Sequence, residues 1–139
     1  MKNILKRTLQ ILVVFIHFSA FAQTENGEAS FYHNKFDGRG TSNGEIFRQK
    51  KYTCAHKTLA FGTWLKVTRL NNNKVIYVRV NDRLPKSSKR CVDLSLLGAE
   101  KLDFVKNGHT KVQLDVVKAE EVPEEFKSPI ELKAKSPKK

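Results

Sequence analysis

The chain has 139 residues, room for one domain, and its 26 Lys and Arg against 14 Asp and Glu give a net charge of +12. So basic a balance favours a polyanionic partner: nucleic acid, an anionic membrane or a carboxylate-bearing cell-wall polymer. The basic residues are scattered, without the interleaved aromatic platform of a single-strand nucleic-acid binder, and His33, His56 and His109 lack the paired spacing of a zinc site, so neither a nucleic-acid partner nor a metal is expected.

Met1, Lys2, Lys6 and Arg7 form a positive n-region, residues 9–21 are mostly apolar, and Ala20-Phe21-Ala22 offers small residues at the positions a signal peptidase reads. Residues 1–22 are therefore expected to be a signal peptide, because the apolar run is too short to span a bilayer. Losing Lys2, Lys6 and Arg7 leaves 23 basic against 14 acidic residues, a net +9. Export argues against most nucleic-acid roles. No cysteine follows the apolar run, so the expected location is periplasmic or extracellular, with no lipid anchor.

A short spacer, Gln23 to Asn26, precedes a first expected strand from Glu28 to His33, and a glycine-rich turn region runs from Phe36 to Gly44. Gly40-Thr41-Ser42-Asn43-Gly44-Glu45 sets Glu45 at the end of a turn, as a groove carboxylate or as an ordinary exposed glutamate. In Ala55-His56-Lys57-Thr58-Leu59 the lone His56 reads as a partner for a carboxylate or sugar hydroxyl, or as a satisfied structural group. Trp64–Leu70 and Lys74–Val80 alternate as a hairpin, with Asn71-Asn72-Asn73 supplying the positive φ of its turn. The second strand ends in Val80-Asn81-Asp82-Arg83, where Asp82 is either a general acid/base oriented by Asn81 and Arg83 or a residue of a local turn. Tyr32 and Trp64 are candidates for stacking on a sugar or for the core.

One short helix is expected over Asp93–Leu102, capped by Asp93 or Ser95, and a last strand over Lys111–Val117. From residue 119 the chain turns to charged residues and prolines and is expected to be a disordered tail to residue 139. Cys54 and Cys91, an even count in an exported chain, suggest one disulfide worth about 4 kcal/mol, which would leave no thiol for nucleophilic chemistry; two unpaired buried thiols are the alternative. Many short strands, one helix and frequent turn residues point to a mainly β fold, a small closed barrel.

Gly27-Glu28-Ala29-Ser30-Phe31-Tyr32, Thr41-Ser42-Asn43-Gly44-Glu45, Ala55-His56-Lys57-Thr58-Leu59-Ala60-Phe61-Gly62-Thr63, Val78-Arg79-Val80-Asn81-Asp82-Arg83 and Asp93-Leu94-Ser95 together resemble the RlpA-like (rare lipoprotein A) family of septal lytic transglycosylases. The resemblance covers roughly residues 27–118. It implies a six-stranded double-psi β-barrel, no cofactor, a monomer, and a groove for the peptidoglycan glycan strand lined by Tyr32, Thr41, Ser42, Asn81 and Arg83. The implied chemistry is non-hydrolytic cleavage between N-acetylmuramic acid and N-acetylglucosamine, leaving 1,6-anhydro ends. Asp82 would be the acid/base with a raised pKa, Glu45 would stabilise charge or assist proton transfer, and His56 would be the third groove residue. Leu84 stands where the family usually has glycine, and Ala60 where it has proline. An expansin-like or barwin-like wall-binding module without turnover, and a hydrolase, are the alternatives.

Overall fold

Alternation of apolar and polar residues decides most of the strands. In the computed structural model, which describes residues 23–128, β1 (Thr24–Phe31), β2 (Thr53–His56), β3 (Trp64–Arg69), β4 (Val75–Arg83), β5 (Val92–Leu94) and β6 (Thr110–Val117) form a closed barrel in the order β1-β5-β2-β4-β3-β6. The expected signal peptide and residues 129–139 of the expected tail lie outside the described residues. Pairs β1/β5 and β2/β4 are parallel and the other four antiparallel, the interlocked arrangement of a double-psi β-barrel. Ile76, Val78 and Val80 of β4, Leu65 and Val67 of β3, and Val112 and Leu114 of β6 point inward and are buried. With Ala29, Cys54, Val92 and Leu94 they make one core, each large member contributing about 1.5–3 kcal/mol by leaving water. The β3–β4 hairpin turns at Asn73, whose φ of 59° is the positive value expected of one of its three asparagines.

The first strand begins earlier than expected. Thr24 to Ala29 pair with Asp115 to Thr110 of β6, so Thr24 to Asn26, read as part of a spacer, belong to a barrel strand and expose their side chains. Within it Gly27 allows a close approach: a Cβ there would stand 2.8 Å from both Cβ and Sγ of Cys91. At the other end, Asp93 belongs to β5. The helix α1 (Leu96–Lys101) starts behind Ser95, whose Oγ accepts from the Gly98 N–H at 3.3 Å.

Residues 119–128 do not leave the barrel as the tail expectation had it. Two short 3-10 turns, Ala119–Glu121 and Glu124–Phe126, bring the segment back, with Val122 buried and the Phe126 ring packed 4.8 Å from Tyr52 and 5.3 Å from Tyr77. The acidic composition hid two apolar anchors that repay ordering the segment. The expected disulfide is absent: Cys54 and Cys91 are buried thiols. The β2/β5 register sets Cys54 opposite Leu94, and Cys91 stands just before β5, outside that pairing. The Cys91 thiol instead donates to the Glu28 carbonyl at 3.4 Å.

Candidate active site

The alternation that buries Ile76, Val78 and Val80 would, if continued, turn Asp82 into the core. It is not continued. Between Cys54 and Ala55 the β2/β4 register slips by one, so Val80 pairs with Cys54 and Asp82 with Ala55, leaving Asn81 as a bulge. Asn81 is consequently buried next to buried Val80, and Asp82 faces outward with Arg79. The adjacent polar pair Asn81-Asp82 is the sequence trace of this bulge.

Asp82 is met there by the loop Gly40-Thr41-Ser42-Asn43-Gly44-Glu45. Its Oδ1 accepts from the Ser42 N–H at 2.9 Å, the Ser42 hydroxyl at 2.7 Å and the Arg83 N–H at 2.9 Å, and its Oδ2 accepts from the Tyr32 hydroxyl at 2.6 Å. Burial raises its pKa, but these four donors outweigh it and leave the carboxyl below its ordinary 3.8. The raised value expected of an acid in waiting is therefore not found, because donors outnumber what desolvation can oppose. Tyr32 is pushed upward, first by burial and then by its bond to Asp82, so it stays a neutral phenol. Its ring is fixed against Phe47, 4.2 Å between centroids.

Glu45 ends the same loop. Gly44, at φ 91°, makes the turn that returns the chain, and the Thr41 N–H donates to the Glu45 carbonyl at 2.8 Å. The carboxylate takes both Arg79 nitrogens at 2.6 and 2.8 Å, Asn43 Nδ2 at 2.9 Å and Asn81 Nδ2 at 3.2 Å. The Arg79 hydrogen bond is the largest cause, burial opposes it, and the pKa falls to about 2. Asn81 Oδ1 is buried with no partner among the described residues.

The structure thus brings Tyr32, Ser42, Glu45, Asn81 and Asp82 together around one loop and one strand end. Thr41 joins them only structurally, its hydroxyl lying 2.7 Å from Asn43 Oδ1 and 2.9 Å from the Glu45 carbonyl. Arg83 does not pair with Asp82 through its side chain. Its guanidinium lies 4.1 Å over the Phe61 ring, and NH1 reaches the His56 carbonyl at 3.4 Å. His56 is the main departure from expectation, because it makes no bond to either carboxylate of the cluster. Nδ1 accepts from the Thr58 and Leu59 N–H groups, both at 3.1 Å, which puts the ring proton on Nε2, 2.8 Å from Glu25 Oε2. Trp64 is buried in the barrel wall and offers no platform, whereas Phe61, 42% exposed, does. Arg79, Asn43, Glu25 and Phe61 were not singled out as site residues from the sequence. Arg79 had a legible signal, a charged residue in phase with outward Tyr77 on the strand leading to Asp82.

Comparison with known proteins bears on this arrangement. A family model described as lytic transglycolase matches residues 24–114. Endolytic peptidoglycan transglycosylase RlpA of Campylobacter jejuni is 47% identical over 98 residues, 70% of this chain and 36% of the relative. The Haemophilus influenzae protein of the same name is 42% identical over 93 residues, covering 67% and 32%. The chain spans about a third of the length of these relatives. Among solved structures, the Streptomyces papain inhibitor superposes with a TM-score of 0.57 at 19% identity, over 69% of this chain and 96% of that one. A mutant Clavibacter michiganensis expansin in complex with cellohexaose gives 0.55 at 20%, over 73% and 54%. These last two likenesses concern the fold alone. On the family model and the relatives together, this chain belongs to the RlpA-like family of double-psi β-barrels.

Proposed function

We propose that the chain is an exported lytic transglycosylase that cleaves peptidoglycan glycan strands between N-acetylmuramic acid and N-acetylglucosamine, leaving 1,6-anhydromuramyl ends. The observation that carries the reading is Asp82, a carboxylate turned out of the core by a bulge and held by four donors at the mouth of a polar loop. Relatives named as peptidoglycan transglycosylases support the substrate class.

The reaction conserves protons: the C1–O4 bond breaks, a C1–O6 bond forms, and the C6 hydroxyl proton ends on O4. One group can therefore serve as base and then as acid. Ionised Asp82 takes the C6 hydroxyl proton and, protonated, becomes a strong acid beside the departing oxygen. The Tyr32 hydroxyl holds Oδ2 throughout, fixing which oxygen works. Glu45, ionised at any physiological pH, carries no proton to give; its part is to hold Arg79, Asn81 and the loop bearing Ser42, and to keep a fixed charge near the developing oxocarbenium. Phe61 under Arg83 supplies an exposed aromatic face for a sugar ring. His56 braces the barrel end through Glu25.

In the same reading residues 1–22 are removed on export and the monomer works outside the cytoplasm; mass of the exported protein would begin at Gln23. The deciding experiment is digestion of purified sacculi with mass analysis of the released muropeptides. Anhydro ends are expected. Reducing ends would make the chain a hydrolase, and retained binding without release a wall-binding module like the expansins. Asp82→Asn is expected to lower the rate at least 100-fold.

A further inference from the structure

A cavity of about 630 Å³, which the proposed chemistry does not use, begins at Arg79 and runs to the C-terminal segment. Its base includes Thr53, paired in register with Arg79 on the neighbouring strand. Thr53 is buried, and its Oγ1 has no hydrogen-bond partner among the described residues. A buried hydroxyl left unpaired costs about 1–3 kcal/mol, a cost removed when a ligand completes it. Tyr52, Leu97 and Phe126 supply apolar walls. Around the mouth stand Arg48, Lys50 and Lys51, exposed and holding no ion pair among the described residues. Two acids also line the cavity: Asp37, whose Oδ1 already accepts the Gln49 N–H at 2.9 Å, and Glu125 on the outer wall. Lys127 is engaged with Glu124 at 3.0 Å. The balance is cationic, with an unsatisfied donor at the bottom and apolar sides, which suits a carboxylate carried on a short, partly apolar chain.

We infer that this cleft is a subsite for the carboxylate-bearing substituent of a muramyl residue, occupied while the glycan lies across Asp82. The inference rests on the reading of the chain as a protein acting on peptidoglycan. The carboxylate sits between Lys50 and Lys51, the Thr53 hydroxyl donates to the substituent, and Tyr52 and Phe126 cover its apolar part. Two sources share this chemistry: the free lactyl carboxylate of a peptide-free strand, and the acidic peptide that extends it.

The test measures binding of the full chain, with Asp82→Asn in every protein to keep strands intact, to three labelled ligands: peptide-bearing strands, amidase-treated peptide-free strands, and chitohexaose, which has no lactyl group. Carboxylate-bearing strands are expected to bind roughly five- to tenfold more tightly than chitohexaose, with the difference shrinking as salt rises. Lys50→Gln with Lys51→Gln should abolish the preference and leave chitohexaose binding unchanged. Thr53→Val, which removes a hydroxyl that bonds nothing, should leave stability unchanged or higher and still weaken the preference. A preference for peptide-free strands assigns the site to the lactyl carboxylate; preference for peptide-bearing strands alone assigns it to the peptide. Equal affinity for all three ligands, or a preference that survives in both variants, overturns the inference. Sacculus digestion without anhydro ends would sink the enzymatic reading while leaving this result standing.

Discussion

Asp82 has four donors and Glu45 four, and what each donor set does to the proton decides which carboxylate can work. With its pKa below 3.8, Asp82 is ionised through the whole neutral range, so the acid limb of kcat/KM should lie below the ordinary aspartate value, with a plateau above it. A pH–rate profile checks this; activity that falls as pH rises from the acid range toward neutrality would mean instead that the carboxyl must be protonated at rest. Tyr32→Phe removes the bond to Oδ2, so the carboxyl rises toward its ordinary value and the limb moves to higher pH, with a rate loss of about tenfold. Glu45 behaves differently because it is locked in an ion pair. Its folded pKa is depressed from 4.5 to about 2, so the pair's stabilisation is complete above pH 4.5 and is lost as pH falls toward 2. Glu45 is part-exposed, and solvent screening leaves about 1 kcal/mol of that. Denaturant unfolding of Glu45→Gln should therefore show a deficit of about 1 kcal/mol at pH 7 that fades across that acid window.

At the scale of elements, two contacts that sequence patterning did not disclose hold the barrel's ends. Gly27→Ala would drive a methyl group to 2.8 Å from the Cys91 side chain, and either β1 or the segment before β5 must move, at a cost of about 1–3 kcal/mol. Phe126→Ala removes the ring covering Tyr52 and Tyr77 and should cost about 1–2 kcal/mol, less than a fully buried Phe, read as a lower denaturation midpoint at unchanged slope. These are the places where the sequence misleads. β3, β4 and β6 were legible because each has one buried face and a period of two. β1 was legible only from Glu28 on, since Thr24 to Asn26 join through backbone bonds and expose their side chains. β2 and β5, of four and three residues, are too short to show a period, and they take their place from the two strands flanking each in the barrel. The site was half legible for a related reason. Asp82, Glu45 and Ser42 lie in polar runs that stand out, whereas the Glu45–Arg79 pair spans 34 positions and the His56–Glu25 pair 31, distances that only barrel closure brings together.

For the whole molecule, the question is whether a covalent staple or the closed core keeps six short strands together. Closure leaves no open sheet edge among the described strands, and the core members from all six strands touch in one cluster. Cys54 and Cys91 are part of that cluster as buried thiols, not as a bridge. Burial raises both thiols, Cys91 to about 12, which removes the thiolate needed for exchange or oxidation. Purified without reductant, the native chain should react with a thiol reagent only after denaturation, and then at two thiols per molecule. Its melting temperature should be the same with and without reductant. A bridge would give a different number: its loss would remove about 4 kcal/mol, which for a domain near 100 residues lowers Tm by roughly 15 °C or more. A fall of that size on adding reductant, with a mass two units lighter beforehand, would restore the disulfide.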